Sequence, residues 1–324
     1  MMDFDFATEQ PKFIQLLIGI AAFLVVVAVI LLLVDRVPMR RRAWLHAGVL
    51  LLPALLLLAI GLVVPAVRTT LLSFMSGDGG TWVGLDNYAW MFTQPEAVTV
   101  LRNTLIWVLL VPLLVTSVGL VYAVLVDRTR FESIAKSLVF LPMAISFVGA
   151  GIIWRFVYAY RAEGQEQIGL LNQVVVSLGG EPRQWLQESP VNTLFLIVVM
   201  VWIQAGFATV VLSAAIKGIP AEIVEAARLD GASPLQMFFR VTLPCIRSAV
   251  IVVLVTQSIG TLKLFDIVRT MTGGQFDTSV IANEMYNQAF RYGETGKGAA
   301  LAVFLFALVT PIVVYQIRQR REAR

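Results

Sequence analysis

The chain has 324 residues, of which 58% are hydrophobic and only 14% charged, with a formal net charge of +4. A soluble fold of this size could not cover its surface with so few charges, so a soluble enzyme or carrier is excluded. One cysteine, Cys245, and one histidine, His46, rule out an intrachain disulfide and argue against a zinc site.

The opening Met1-Met2-Asp3-Phe4-Asp5-Phe6 is acidic where a secretory leader is basic. Seven apolar segments follow, each near or above the ~20 residues that a bilayer core demands. They run over 13–34, 44–75, 102–126, 137–160, 191–216, 246–270 and 298–317. The second holds Pro53 and Pro65, which membrane helices tolerate as kinks. Basic residues alternate between the connections. Segments 35–43, 127–136, 217–247 and 318–324 carry 15 Lys or Arg, against 7 in 1–12, 76–102, 161–190 and 269–297. The positive-inside rule then predicts a cytoplasmic C-terminus and an outer N-terminus. The net basic charge reads as topology, so nucleic acid is not an expected partner. In the outer loops, Ile168–Leu178 has a helical pattern. Ser279–Phe290 has the spacing of an amphipathic helix lying on the membrane surface.

Segment 217–244, between the fifth and sixth spans, has explicit punctuation. Pro220 suits a first helical position, Ala221–Asp230 is rich in helix formers, and Gly231 suits a left-handed cap. Ser233-Pro234-Leu235-Gln236 reads as a capping box opening a second helix, which Pro244 stops or kinks. Ala226 and Ala227 permit close helix approach, while Leu235, Phe238 and Phe239 are more apolar than a solvated loop requires. The alternative is a well-capped connector without a partner.

Glu225-Ala226-Ala227, Asp230-Gly231-Ala232 and Phe239-Arg240-Val241-Thr242-Leu243-Pro244 resemble the EAA loop of binding-protein-dependent ABC importer permeases, with Val241 where that family usually has Ile. Trp82-Val83-Gly84-Leu85-Asp86-Asn87-Tyr88 and Thr272-Gly273-Gly274 resemble markers of the carbohydrate-uptake branch. The resemblance covers roughly 45–320. It implies an all-α polytopic membrane protein: a six-helix type I permease core over 44–324 and one extra N-terminal helix with its basic loop in 1–43, as in maltose-type subunits. It also implies a bacterial inner-membrane sugar importer subunit, with an oligosaccharide the favoured substrate and an α-glucoside one candidate. The implied partners are a second homologous permease, two ATP-binding cassette subunits and an extracytoplasmic sugar-binding protein. Glu225 carries over as a charged contact to the ATP-binding subunit and Gly231 as a tight turn. Arg228 and Asp230 would support them, beside Ala226, Ala227, Phe238 and Phe239.

Within the spans, Lys263 and Asp266 stand at i and i+3 and are expected to neutralise each other on one helix face. Such a pair either locks the helix or lies near the substrate path. Gln204 and Phe207, and Gln257 and Thr261, lie about one turn apart on the spans flanking the loop. In related sugar permeases the matching stretches line the cavity, so these four are substrate-contact candidates, with Met143 and Phe147 beside them. Interhelical hydrogen bonding is the competing use for such residues. Gly293-Glu294-Thr295-Gly296-Lys297-Gly298 has the wrong spacing for a phosphate loop, and no hydroxyl follows the lysine. No Ser/His/Asp set can be assembled, so neither cofactor nor catalysis is expected in this chain. The rival classes are an ion-coupled secondary transporter, for which Asp266 is the one suitable carboxylate, and a non-transporting assembly subunit.

Overall fold

The computed structural model describes residues 14–15, 17–21, 24–29, 32, 43–127, 129–162 and 164–322. The chain forms two units, Met1–Arg68 and Thr69–Arg324. In the first, the described residues of the predicted 13–34 span are helical; its other residues and the basic loop 35–42 lie outside the described residues. Helix α1 (Ala43–Leu58) contains Pro53 and runs through a π-turn, Ala59–Val63, into α2 (Val64–Leu72). Pro65 follows that turn by two residues. The wider turn relieves the clash between a proline ring and the carbonyl four residues earlier.

The second unit begins within α2 and is organised on two long helices, α4 (Pro95–Val126), which follows the short α3 (Asp86–Thr93), and α8 (Asn192–Lys217). Along α4 the buried positions Val100, Trp107, Val111, Val115 and Ala123 recur at three- to four-residue multiples, so one stripe faces inward. Lipid is as apolar as leucine, so association rests on close packing of small residues. A Cβ added at Gly119 would stand 2.5 Å from the Ala208 Cβ, and one at Gly206 2.4 Å from the Val139 carbonyl oxygen. These glycines set how near α8 comes to α4 and to α5 (Glu132–Phe140).

Two predicted spans are not single helices. The span read as 137–160 is α5 with a 3-10 turn, Leu141–Ala144, followed by α6 (Phe147–Val157), the two halves bent by 101°. Ser146 makes the break: its hydroxyl accepts from the Gly149 N–H at 3.0 Å and starts a new helix. The span read as 246–270 is α11 (Arg247–Leu262) and α12 (Asp266–Met271), separated at Lys263–Phe265. Among the described residues, four helices are long and apolar enough to cross a membrane, or up to six if Glu132–Ala144 with Phe147–Val157, and Pro234–Cys245 with Arg247–Leu262, each count as one bent span.

At the end of the unit where α4 starts, buried asparagines pin the loops. Asn172, on α7 (Leu170–Ser177), is fully buried and makes four bonds. It donates to the Ala159 and Arg183 carbonyls and accepts from the Arg183 N–H and the Trp185 indole, at 2.9–3.0 Å. Asn192 donates to the Phe276 carbonyl at 2.7 Å and Asn103 to the Ser279 carbonyl at 3.1 Å. They hold a turn in which Phe276 and Asp277 both have positive φ. Asn87, in the Trp82–Tyr88 motif, ties the Ser73 and Met75 carbonyls at 2.9 and 2.8 Å. The predicted surface helix 279–290 is shorter and more buried than its pattern suggests. It is α13 (Ile281–Tyr286) with a π-turn, Asn287–Arg291, packed on α4 and on α14 (Thr295–Glu322). Ile281, Ala282, Asn283, Asn287 and Gln288 are buried, and the Ile281 N–H donates to the Thr104 hydroxyl at 3.0 Å.

Candidate functional site

At the opposite end, α8 leads through Gly218-Ile219-Pro220 into α9 (Ala221–Leu229), with Pro220 at the cap position instead of the first helical one. Gly231 has φ +75°, the left-handed region where a side chain is strained. The Gly231 N–H donates to Arg228 O and the Ala232 N–H to Ala227 O, both at 3.0 Å. That pair is the Schellman closure and satisfies carbonyls the helix end would otherwise strand. Ser233 then caps α10 (Pro234–Met237): its hydroxyl accepts from the Gln236 N–H, and the Gln236 side chain accepts from the Ser233 N–H at 2.9 Å. A π-turn, Phe238–Thr242, and a last helical turn, Leu243–Cys245, complete this arm, which bends by 70° into α11. Pro244 follows the π-turn by two residues, the arrangement already met at Pro65.

The result is a two-helix elbow with a closed turn and an apolar tip. Leu229 is 89% exposed, Leu235 71% and Phe239 61%. The Phe238 and Phe239 rings meet edge to face at 4.9 Å. Glu225, Ala226, Arg228 and Asp230 are exposed, while Ala227 and Phe238 are half-buried. Under the elbow lies a cavity of about 340 Å³, whose walls include Asp127, Ile216, Ile219, Arg228 and Phe238.

At the base of the elbow is a charge cluster that the sequence pattern does not single out. Asp127, at the end of α4 with a 7% exposed side chain, has Lys136 at 3.8 Å and Lys217 at 3.7 Å. Both lysines also bond Glu132, and Lys136 bonds the buried Ser213 hydroxyl. Counted as topology signals, these cations hide their pairing. Glu132 and Lys136 at i and i+4 were the legible hint.

The mid-span candidates sit on three packed elements. Gln204 and Phe207 are half-buried on α8, which packs against both α11 and the 141–144 turn. Gln257 and Thr261, on α11, are each 2% exposed. The Thr261 hydroxyl donates to its own helix, to Gln257 O at 2.7 Å, whereas the Gln257 Oε1 has no partner. Met143 is 40% exposed and Phe147 half-buried on the two sides of the α5–α6 break. Lys263 and Asp266 do not form the expected pair. The helix ends at Leu262, so they share no face, and no ion pair within 4.0 Å joins them. Lys263 is exposed and Asp266 opens α12.

Long apolar helices packed on a buried core, with a capped two-helix elbow between two of them, define a polytopic membrane protein. The chain belongs to the family described as the binding-protein-dependent transport system inner membrane component, whose model matches residues 98–323. It is therefore a permease subunit of an ABC importer. It is 51% identical over 267 residues to the osmoprotective compounds uptake permease protein GgtC of Synechocystis sp., covering 82% of this chain and 96% of that one. It is 49% identical over 278 residues to the alpha-glucoside transport system permease protein AglF of Rhizobium meliloti, covering 86% and 82%. Its fold matches a chain of a solved bacterial ABC transporter for the import of alginate, with a TM-score of 0.74 over 87% of this chain and 96% of that one, at 23% identity.

Proposed function

We propose that this subunit carries an oligosaccharide, with α-glucosides the favoured class, across a bacterial inner membrane by alternating access. The support comes from relatives named for alpha-glucoside and for trehalose/maltose transport, the second at 28% identity in Thermococcus litoralis. ATP-binding cassette subunits seat on the elbow through Glu225, Arg228 and Asp230 and cover Leu229, Leu235 and Phe239. The observation that carries this reading is the elbow itself: closed at Gly231, capped at Ser233, and apolar at an exposed tip. On a loop outside the apolar spans, such a patch fits a protein contact.

In this account the elbow and the C-terminus face the cytoplasm, and seven spans place the N-terminus outside. The 44–324 segment pairs with a second homologous permease, and an extracytoplasmic sugar-binding protein delivers substrate to the end held by the asparagines. Gln257 is the leading sugar contact because its buried acceptor is unpartnered; Gln204, Phe207, Met143 and Phe147 complete the wall. ATP hydrolysis belongs to the partners. Closure of the ATP-binding subunits favours one of two permease states through its stronger binding to that state. The test is uptake of radiolabelled maltose, trehalose and sucrose by proteoliposomes holding the full complex. ATP-dependent uptake of at least one, abolished by Glu225→Lys, is expected. Uptake by vesicles holding this chain alone would refute the proposal.

A further inference from the structure

We infer that the charge cluster under the elbow is the joint that makes α5 move with α8, so that displacement of the elbow reaches the α5–α6 bend; this rests on the reading that ATP-binding subunits seat on the elbow. The Asp127 carboxylate lies at the carbonyl end of α4, where the helix dipole disfavours a negative charge, and its side chain is 7% exposed. Lys136 and Lys217, from two other helices, compensate it. Glu132 binds the same two lysines, and Ser213, 2% exposed, takes a bond from Lys136. Isolated surface pairs hold little; here the Lys217 side chain is 49% exposed, but Asp127, Lys136 and Glu132 are at 7%, 18% and 20%, and a network with shared partners resists separation of its elements.

Three further observations give the joint a direction. Lys217 stands four residues before α9, and Asp127 lines the same cavity as Arg228 and Phe238. At its other end α5 is again locked to α8, where Gly206 receives the Val139–Phe140 backbone. Two attachments on one short helix fix both its position and its tilt. The chain then passes through the Ser146 break into α6, which packs on α12. A push on the elbow therefore moves α8 and α5 as one body, and α6 follows with Phe147 at its start.

The test uses the assembled importer with Cys245→Ser and spin labels at Phe156→Cys on α6 and Phe306→Cys on α14, positions 67% and 71% exposed. Distances are measured without nucleotide and with ATP and vanadate. The parent complex should show a nucleotide-dependent shift. Glu132→Gln/Lys136→Met cuts only the α5 side and leaves Lys217 beside Asp127. It should lose more than half of that shift while retaining the ATP-binding subunits and their hydrolysis within about twofold. Lys136→Arg alone should keep the shift. A full shift in the double variant, or none in the parent complex, would overturn the inference. A Glu225→Lys complex that still holds its ATP-binding subunits would instead sink the seating proposal.

Discussion

The elbow and the asparagine-pinned end are both ordered by hydrogen bonds to the backbone, but the bonds differ in reach. At the elbow they link neighbours: Ala232 to Ala227, Gln236 to Ser233. At the other end Asn192 reaches Phe276, 84 positions away, and Asn103 reaches Ser279, 176 positions away. The first end is a local device whose shape depends on bonds between near neighbours. The second is a long-range clasp that holds separate helices in register.

The sharpest way to break this comparison is Gly231→Pro. Proline cannot take φ +75° and removes the N–H that closes on Arg228. Uptake by the reconstituted complex should fall by at least about 10-fold, with the ATP-binding subunits lost on purification. Asn172→Leu tests the other end. It strips two carbonyls, an N–H and an indole of their partner, so stability should fall by about 3 kcal/mol in a thermal melt while the ATP-binding subunits stay bound. Loss of those subunits would contradict the separation of the two ends. Ser233→Ala removes one half of the capping box and should cost about 1 kcal/mol, read as a few-fold weaker retention of the ATP-binding subunits. Gln257→Leu should be the mildest for the fold. It deletes an orphaned buried acceptor, so the melting temperature should hold or rise while sugar uptake drops.

The same difference in reach explains what the sequence made legible. The all-helical membrane architecture follows from runs of apolar residues. The elbow was readable almost to the residue at its turn, because Gly231, Ser233 and Gln236 act on their neighbours; Pro220 moved from first helical position to cap, and the second helix gives way to a π-turn at Phe238–Thr242. The breaks at Ser146 and Lys263 were not readable. A serine inside an apolar run gives no sign that it caps a second helix, and the assumed helix through Lys263 and Asp266 produced an ion pair that does not form. The Asp127–Glu132–Lys136–Lys217 cluster was hidden because its members come from three helices and look alone like flanking charges. The mid-span candidates fall between these cases. Packing sets Gln204 and Gln257 on neighbouring helices, but hydropathy alone gave no hint that Gln257 keeps a buried unpaired acceptor.

The most direct test of the account is to place a single cysteine at the elbow tip, Leu229→Cys with Cys245→Ser, and treat vesicles of known orientation with a membrane-impermeant maleimide. The account predicts labelling only from the cytoplasmic side, and protection from it when the ATP-binding subunits are bound. Labelling from the outer side, or equal labelling with and without those subunits, would contradict it.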